Sequence, residues 1–468
     1  MTTTLDVKTV PRTPAIRGAT PATVVAEANN FQRSERALDM MLTQRGDASA
    51  EVEQMLAEDP ESVFGHCLRA ALIVRADGAA ARSTLSASVA AIEAACPDVD
   101  APARRHAMAA RAWLDGDSAG AANHYDAILE DWPHDVMALV VAHALDFHHG
   151  CRRSMLDRIA KLLPKWAADV SGYASVLAMY AFALEENGQY RRAEKMARHA
   201  LALDPGHPGA IHVVAHVMEM QGRFHEGLLF LTANGSAWSD GTGLSAHLAW
   251  HLALFHLEAN DLESALAIYD ALIASGGSAE LSSLADGSAL LWRLQLLGKE
   301  VSGCWQQLAD RWARHSLIGA RPFYAVHAMM AFAAAGRTAA ALRVIETLPR
   351  TAIHEASTLI PEEALAPPLC EALLAFAHGD YVECVQRLKQ VRRIAYRCGG
   401  SLAQCDVIHL TLTEAALRAR RGRLARVLVA ERLARNPASW LNQFLRQRLG
   451  TRAKSRERRV STAKALPA

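Results

Sequence analysis

Apolar residues recur at spacings of three and four along nearly the whole chain, and segments alternating every second residue are scarce. That period lines apolar side chains along one side of an α-helix rather than one face of a strand. Glycine interrupts the pattern at Gly78, Gly116, Gly150, Gly188, Gly222, Gly298 and Gly336, in steps of 38, 34, 38, 34, 76 and 38 residues. Asn260 stands midway in the double step, and asparagine is the other residue that tolerates left-handed backbone. Two further turns are expected at Gly379 and Gly422. A recurring step of this size is the signature of stacked helical hairpins.

The surroundings of each turn repeat as well. "ALEENGQYRRAEKMARHALALDP" places a helix before Gly188, small residues Ala193 and Ala200 in a second helix, and Pro205 after it. "AWLDGDSAGAANHYDAILEDWP" has the same layout with Gly116, Ala121 and Pro133. Small residues let two antiparallel helices approach, and proline ends the second. The expected fold is all-α: a right-handed superhelical solenoid of about ten tetratricopeptide-like hairpins, with the first helix of each lining the concave side. The expected organisation is a Thr/Pro-rich disordered arm over 1–22, the solenoid over 23–450 and a basic tail over 451–468. The segment "TANGSAWSDGTG" (232–243) breaks the repeat and is expected to leave it as a loop.

Composition narrows the functional classes. A net charge of +1 gives no electrostatic case for nucleic-acid binding. The start, MTTTLDVKTVPRTPAIRGAT, has no apolar signal core, and no run of about 18 uncharged apolar residues predicts a membrane span. The eight cysteines are scattered with no CxxC pair, as in a protein of the reducing cytoplasm. There is no GxxxxGK[ST], no convincing dinucleotide loop and no GxSxG elbow.

The unusual chemistry lies in "AIHVVAHVMEM" (210–220) and "SAHLAWHLALFHLEAN" (245–260). A helix turns about 100° per residue, so His216 lies about 40° from His212 and Glu219 about 20° to its other side. His247, His251 and Glu258 likewise share a face, with His256 opposite. Both faces fall at groove-facing repeat positions, and helix axes about 8–10 Å apart would let the two imidazole pairs meet. Glu185 occupies the place of Glu219 one repeat earlier. Asp286 opens the next first helix and His327 lies one repeat further on. His143 and Asp146 are weaker candidates. Trp238, Trp250 and Trp292 lie where they would stack on a ligand, although core packing is the commoner role for a tryptophan at helical spacing.

Six segments in one order resemble the tetratricopeptide repeat protein 38 family and its bacterial relatives over roughly residues 30 to 445. They include "HVVAHVMEMQGRFHEGLLFL", "AHLAWHLALFHLE", "ADGSALLWRLQLLG" and "LTEAALRARRGRLARVLVAERLARNP". The resemblance implies a helical-repeat fold and no defining reaction. Leu248 stands where relatives often carry a polar residue.

Three readings follow. A concave His/Glu-lined groove binds a small molecule or peptide, with Glu185, Trp238, Trp250, Asp286, Trp292 and His327 around it. Alternatively His212, His216, His247 and His251 hold a divalent metal such as zinc, or these four with Glu219 act as an acid–base centre, in a hydrolase or lyase. HVVAH is not HExxH, since Val213 replaces the zincin glutamate. The third reading is a scaffold for a protein partner. Single histidines are most often hydrogen-bonded structural residues, but four on facing helices shift the balance toward a site.

Overall fold

A computed structural model describes residues 21–76, 81–274, 280–317, 321–348 and 362–450. The expected arm (as far as residue 20), the turn at Gly78 and the basic tail lie outside the described residues. Eleven helical hairpins follow one another among them. They are α1 (Pro21–Thr43) with α2 (Ala48–Glu58), α3 (Val63–Ala76) with α4 (Arg82–Ala95), and α5 (Pro102–Leu114) with α6 (Ser118–Asp131). Next come α7 (Val136–His148) with α8 (Arg152–Leu162), α9 (Tyr173–Glu186) with α10 (Tyr190–Leu203), and α11 (Pro208–Met220) with α12 (Phe224–Ala233). After the short α13 (Gly235–Trp238) stand α14 (Ser245–Glu258) with α15 (Leu262–Ala274) and α16 (Glu280–Leu296) with α17 (Ser302–Trp312). The series ends with α18 (Pro322–Ala334) and α19 (Thr338–Thr347), α20 (Ala366–Ala377) and α21 (Tyr381–Val391), and α22 (Leu402–Arg418) and α23 (Gly422–Arg435). A last helix, α24, covers 440–450. The fold is all-α, as the periodicity predicts.

Most hairpins turn in one way. In nine of them a residue with positive φ ends the first helix, and the next N–H donates to the carbonyl five residues back. Gln189 to Leu184 and Arg223 to Met218 are examples, at 2.9 and 2.8 Å. This bond satisfies a carbonyl that the helix end would leave open. Asn260 takes the left-handed conformation, with φ of 59°. At the final hairpin the left-handed residue is Arg420 (φ 58°), and Gly422 instead begins α23, so that turn sits two residues earlier than the glycine indicated.

Helix type follows position. α7, α11 and α18 are apolar nearly all round and bury almost every residue. α10 is amphipathic and buries only Ala193, Ala197 and Ala200. A helix apolar on every side is buried on every side, which requires a cover over the inner faces. The chain supplies it. The Leu402 N–H of α22 donates to Glu186 of α9, and Gln404 donates to Asp286 of α16 at 3.0 Å. Arg293 reaches the Ala403 carbonyl, and the Trp292 indole donates to Thr411. Asn436 donates to the Glu219 carbonyl at 3.4 Å. Glu258 accepts from Ser439 and from the Leu441 N–H, at the start of α24. The last helices therefore fill the concave side that the sequence pattern left open.

The segment before α22 passes close to α7. Gly399 has φ of 92°, and a Cβ there would lie 2.7 Å from the His148 carbonyl oxygen. The 232–243 excursion forms α13 and docks on the first hairpin turn, where Gly46 N–H donates to Gly241 and Gly243 N–H to Gln44. Arg45 in that turn makes a two-pronged ion pair with Asp204. No helix among the described residues is long and apolar enough to cross a membrane.

Two substitutions with opposite effects test the turn geometry. Arg420→Gly removes a left-handed side chain and should raise unfolding free energy by about 0.5–1 kcal/mol. Gly399→Ala should lower it by about 2 kcal/mol or more through strain and the carbonyl clash. Urea titration reads both, and equal midpoints for the three proteins would contradict the turn assignment.

Candidate functional site

α11 is well prepared to hold its histidines in place. Pro208 occupies its first position, where a missing N–H costs nothing, and His207 caps it by accepting from the Ala210 N–H at 3.3 Å. The helix then runs without interruption to the turn at Gly222. His212 and His216 lie one turn apart on its inner face, with ring centroids 4.4 Å apart. α14 repeats the arrangement with His247 and His251, 4.7 Å apart.

The two pairs meet. His216 and His251 have ring centroids 4.4 Å apart, and His212 and His247 4.9 Å. One ring nitrogen from each of the four lies within 4.8 Å of the others. His216 and His251 are fully buried, and the His247 side chain retains 18% exposure. Phe182 of α9 forms a wall against His212 and His216, and Trp250 stacks on His247 at 5.3 Å.

Three of the imidazoles face a carboxylate from a neighbouring repeat. His251 Nδ1 is 2.8 Å from Glu219, and His247 Nδ1 is 2.8 Å from Asp286. His216 Nδ1 is 3.3 Å from Glu185 but poorly aligned for a hydrogen bond. When Nδ1–H donates to a carboxylate, the Nε2 lone pair is left facing the opposite way. The buried Nε2 atoms of His212, His216 and His251 have no hydrogen-bond partner.

Burial sets the charge states. It holds the His216 imidazole down at about 3 and those of His212 and His251 well below the ordinary value of 6.5, so all three are neutral near pH 7. Burial also pushes the carboxyl groups up from 4.5. Glu185 and Glu219 reach about 8, opposed by Arg152 and Arg293 respectively, and Glu186 reaches about 7.

Every residue expected at the cluster can be placed. His212, His216, His247, His251, Glu185, Glu219, Asp286 and Trp250 come together. His327 stands apart, its Nδ1 bonded to the Phe323 carbonyl, beside a cavity of about 20 Å³ shared with Gln404 and Cys405. That space admits one water molecule. Trp292 is packed against Trp305 and Phe376, and its N–H is taken by Thr411. Trp238 is buried with its N–H on the Leu231 carbonyl. Neither indole faces the histidines with a free donor. His143 packs on Phe182, and Asp146 is paired with Arg158. His256 bonds Asp261 in its own turn.

Sequence reasoning missed Glu186, Phe182 and Gln404. Glu186 was visible as the neighbour of Glu185. Gln404 had no local signal, because 118 residues separate it from Asp286.

These features define a helical-repeat protein with a buried imidazole–carboxylate cluster. No family model matches the chain. The solved structure of Naa15/Naa10 bound to HypK-THB is similar over 86% of this chain and 67% of that one, at 14% identity and a TM-score of 0.23. A likeness that low carries no argument, so the repeat assignment rests on the hairpins themselves.

The shifted groups set a pH optimum for stability in chelator. Below pH 6.5 the unfolded chain binds protons that His212, His216 and His251 refuse when folded, so stability falls with pH. From about 4.5 to 8 the folded carboxyls Glu185, Glu186 and Glu219 keep protons that the unfolded chain has lost; below 6.5 the histidines outnumber them, since burial also holds down His143, His207 and His327, and above 6.5 the carboxyls act alone, so stability falls as pH rises. The melting temperature should therefore peak near pH 6.5. A midpoint that climbs steadily to pH 8.5 would contradict the protonated carboxyls.

Proposed function

We propose that this protein is a metal-binding relative of the tetratricopeptide repeat protein 38 family, in which His212, His216, His247 and His251 hold one divalent transition-metal ion. The observation that carries this reading is the convergence of four rings with Nδ1 of three turned toward carboxylates. A carboxylate on Nδ1 fixes the tautomer that presents Nε2 to a metal and raises its basicity. Neutral imidazoles suit zinc, copper, nickel or iron(II). Glu185 and Glu219, once the ion ionises them, offset its charge, and Asp286 stands beside His247. Four ligands around zinc at 2.0–2.1 Å stand about 3.4 Å from one another, so ring movements of about 1 Å close the site.

The filled concave side favours an ion over a peptide. α22 and its neighbours already engage Glu186, Asp286 and the Glu219 carbonyl. A metal-assisted hydrolase or lyase is the second reading. The partial exposure of His247 supports it, because a water replacing that ring would give the three-ligand zinc site of hydrolytic enzymes.

Chelator-treated protein titrated with zinc tests the proposal. Binding should raise unfolding free energy by about 4 kcal/mol at free zinc a thousandfold above Kd. His216→Ala and His251→Ala should keep the wild-type helical circular dichroism and lose that zinc response. Variants that respond as the wild type does would end the metal reading, and variants that unfold without zinc would make the rings structural.

A further inference from the structure

Glu185 is the least satisfied charged group of the cluster. It is fully buried, and apart from the Glu186 carboxyl next to it neither oxygen has a hydrogen-bond partner. His216 beside it is also fully buried with both ring nitrogens unpartnered. The neighbouring Glu186 is differently placed. Arg152 Nε lies 2.7 Å from one of its oxygens, and the Leu402 N–H donates to the other at 3.1 Å. Two carboxylates thus stand at the C-terminal end of α9, where the helix dipole is negative, against one guanidinium.

We infer that Glu185, Glu186 and His216 form a second cation subsite beside the tetra-histidine centre, so that two divalent ions bind with the His216 ring between them. This rests on the metal reading above. One ligand atom from each of the three residues lies within 4.8 Å of the others. Glu185 offers two free oxygens, His216 offers Nδ1, and Glu186 completes the set at its edge. Oxygen ligands with one imidazole suit zinc, manganese or iron(II).

The proton balance is simple. With one ion bound at Nε2, His216 carries its proton on Nδ1. Binding of the second ion would displace that proton to solvent, together with the proton that burial keeps on Glu185, and the resulting imidazolate would give one nitrogen to each ion. Glu185 would then change from a neutral carboxyl beside His216 into a ligand.

Zinc stoichiometry tests the subsite on the full chain. Protein stripped with chelator, loaded with excess zinc and desalted should retain two zinc ions by mass spectrometry, and Glu185→Gln should retain one with unchanged circular dichroism. One ion in the wild type, or two in the variant, overturns the second site and leaves the first standing. No ion at all overturns both. If Glu185→Gln does not fold, copper(II) spin resonance decides. An imidazolate-bridged pair loses signal at the second equivalent through coupling, whereas a signal that doubles overturns the subsite.

Discussion

Each imidazole–carboxylate contact of the central cluster joins one repeat to the next. Glu185 of α9 faces His216 of α11, Glu219 of α11 faces His251 of α14, and His247 of α14 faces Asp286 of α16. Four consecutive first helices are thereby tied in register by polar contacts on their inner faces. The apolar contacts between hairpins are adaptable, since many side-chain combinations fill the same volume. An imidazole and a carboxylate at 2.8 Å are not, because a shift of one helical turn would leave both buried and unpaired. These contacts set the spacing on which everything at the centre of the molecule depends.

The same contacts explain why the solenoid does not stay open. Polar groups on an inner face can be hydrated in an open groove, whereas here they are covered by α22, α23 and α24. The cover is itself polar where it meets them: Leu402 N–H, Gln404, Arg293 with the Ala403 carbonyl, and Asn436 each take a bond. Burying so many hydrogen-bonding groups costs about 1–3 kcal/mol for each one left unmatched. The cover matches those at its edge. Nε2 of His212, His216 and His251 and the Glu185 oxygens remain without such a match at the centre.

Much was legible along the chain. The step of 34 to 38 residues, glycine or asparagine at the turn and small residues in the second helix gave the hairpin array, because each is a local demand of backbone geometry. The phase of His212, His216 and Glu219 predicted a common face, and all three lie in the cluster. His247 and His251 followed by the same arithmetic. The indole of Trp292, by contrast, reads identically in sequence whether it stacks on a ligand or bonds Thr411 more than a hundred residues later. Arg420 took the left-handed turn position although Gly422 stood two residues away.

The sequence alone therefore determined the helices, most of their turns and the direction of the four clustered histidines, all properties of residues within about one helical turn of each other. Only the tertiary structure decided that the C-terminal helices return to close the groove, that Gln404 supports Asp286, and that Glu185 is sealed beside His216 and Glu186. Those contacts join residues far apart in the chain, where no local periodicity carries information about which surface will meet which.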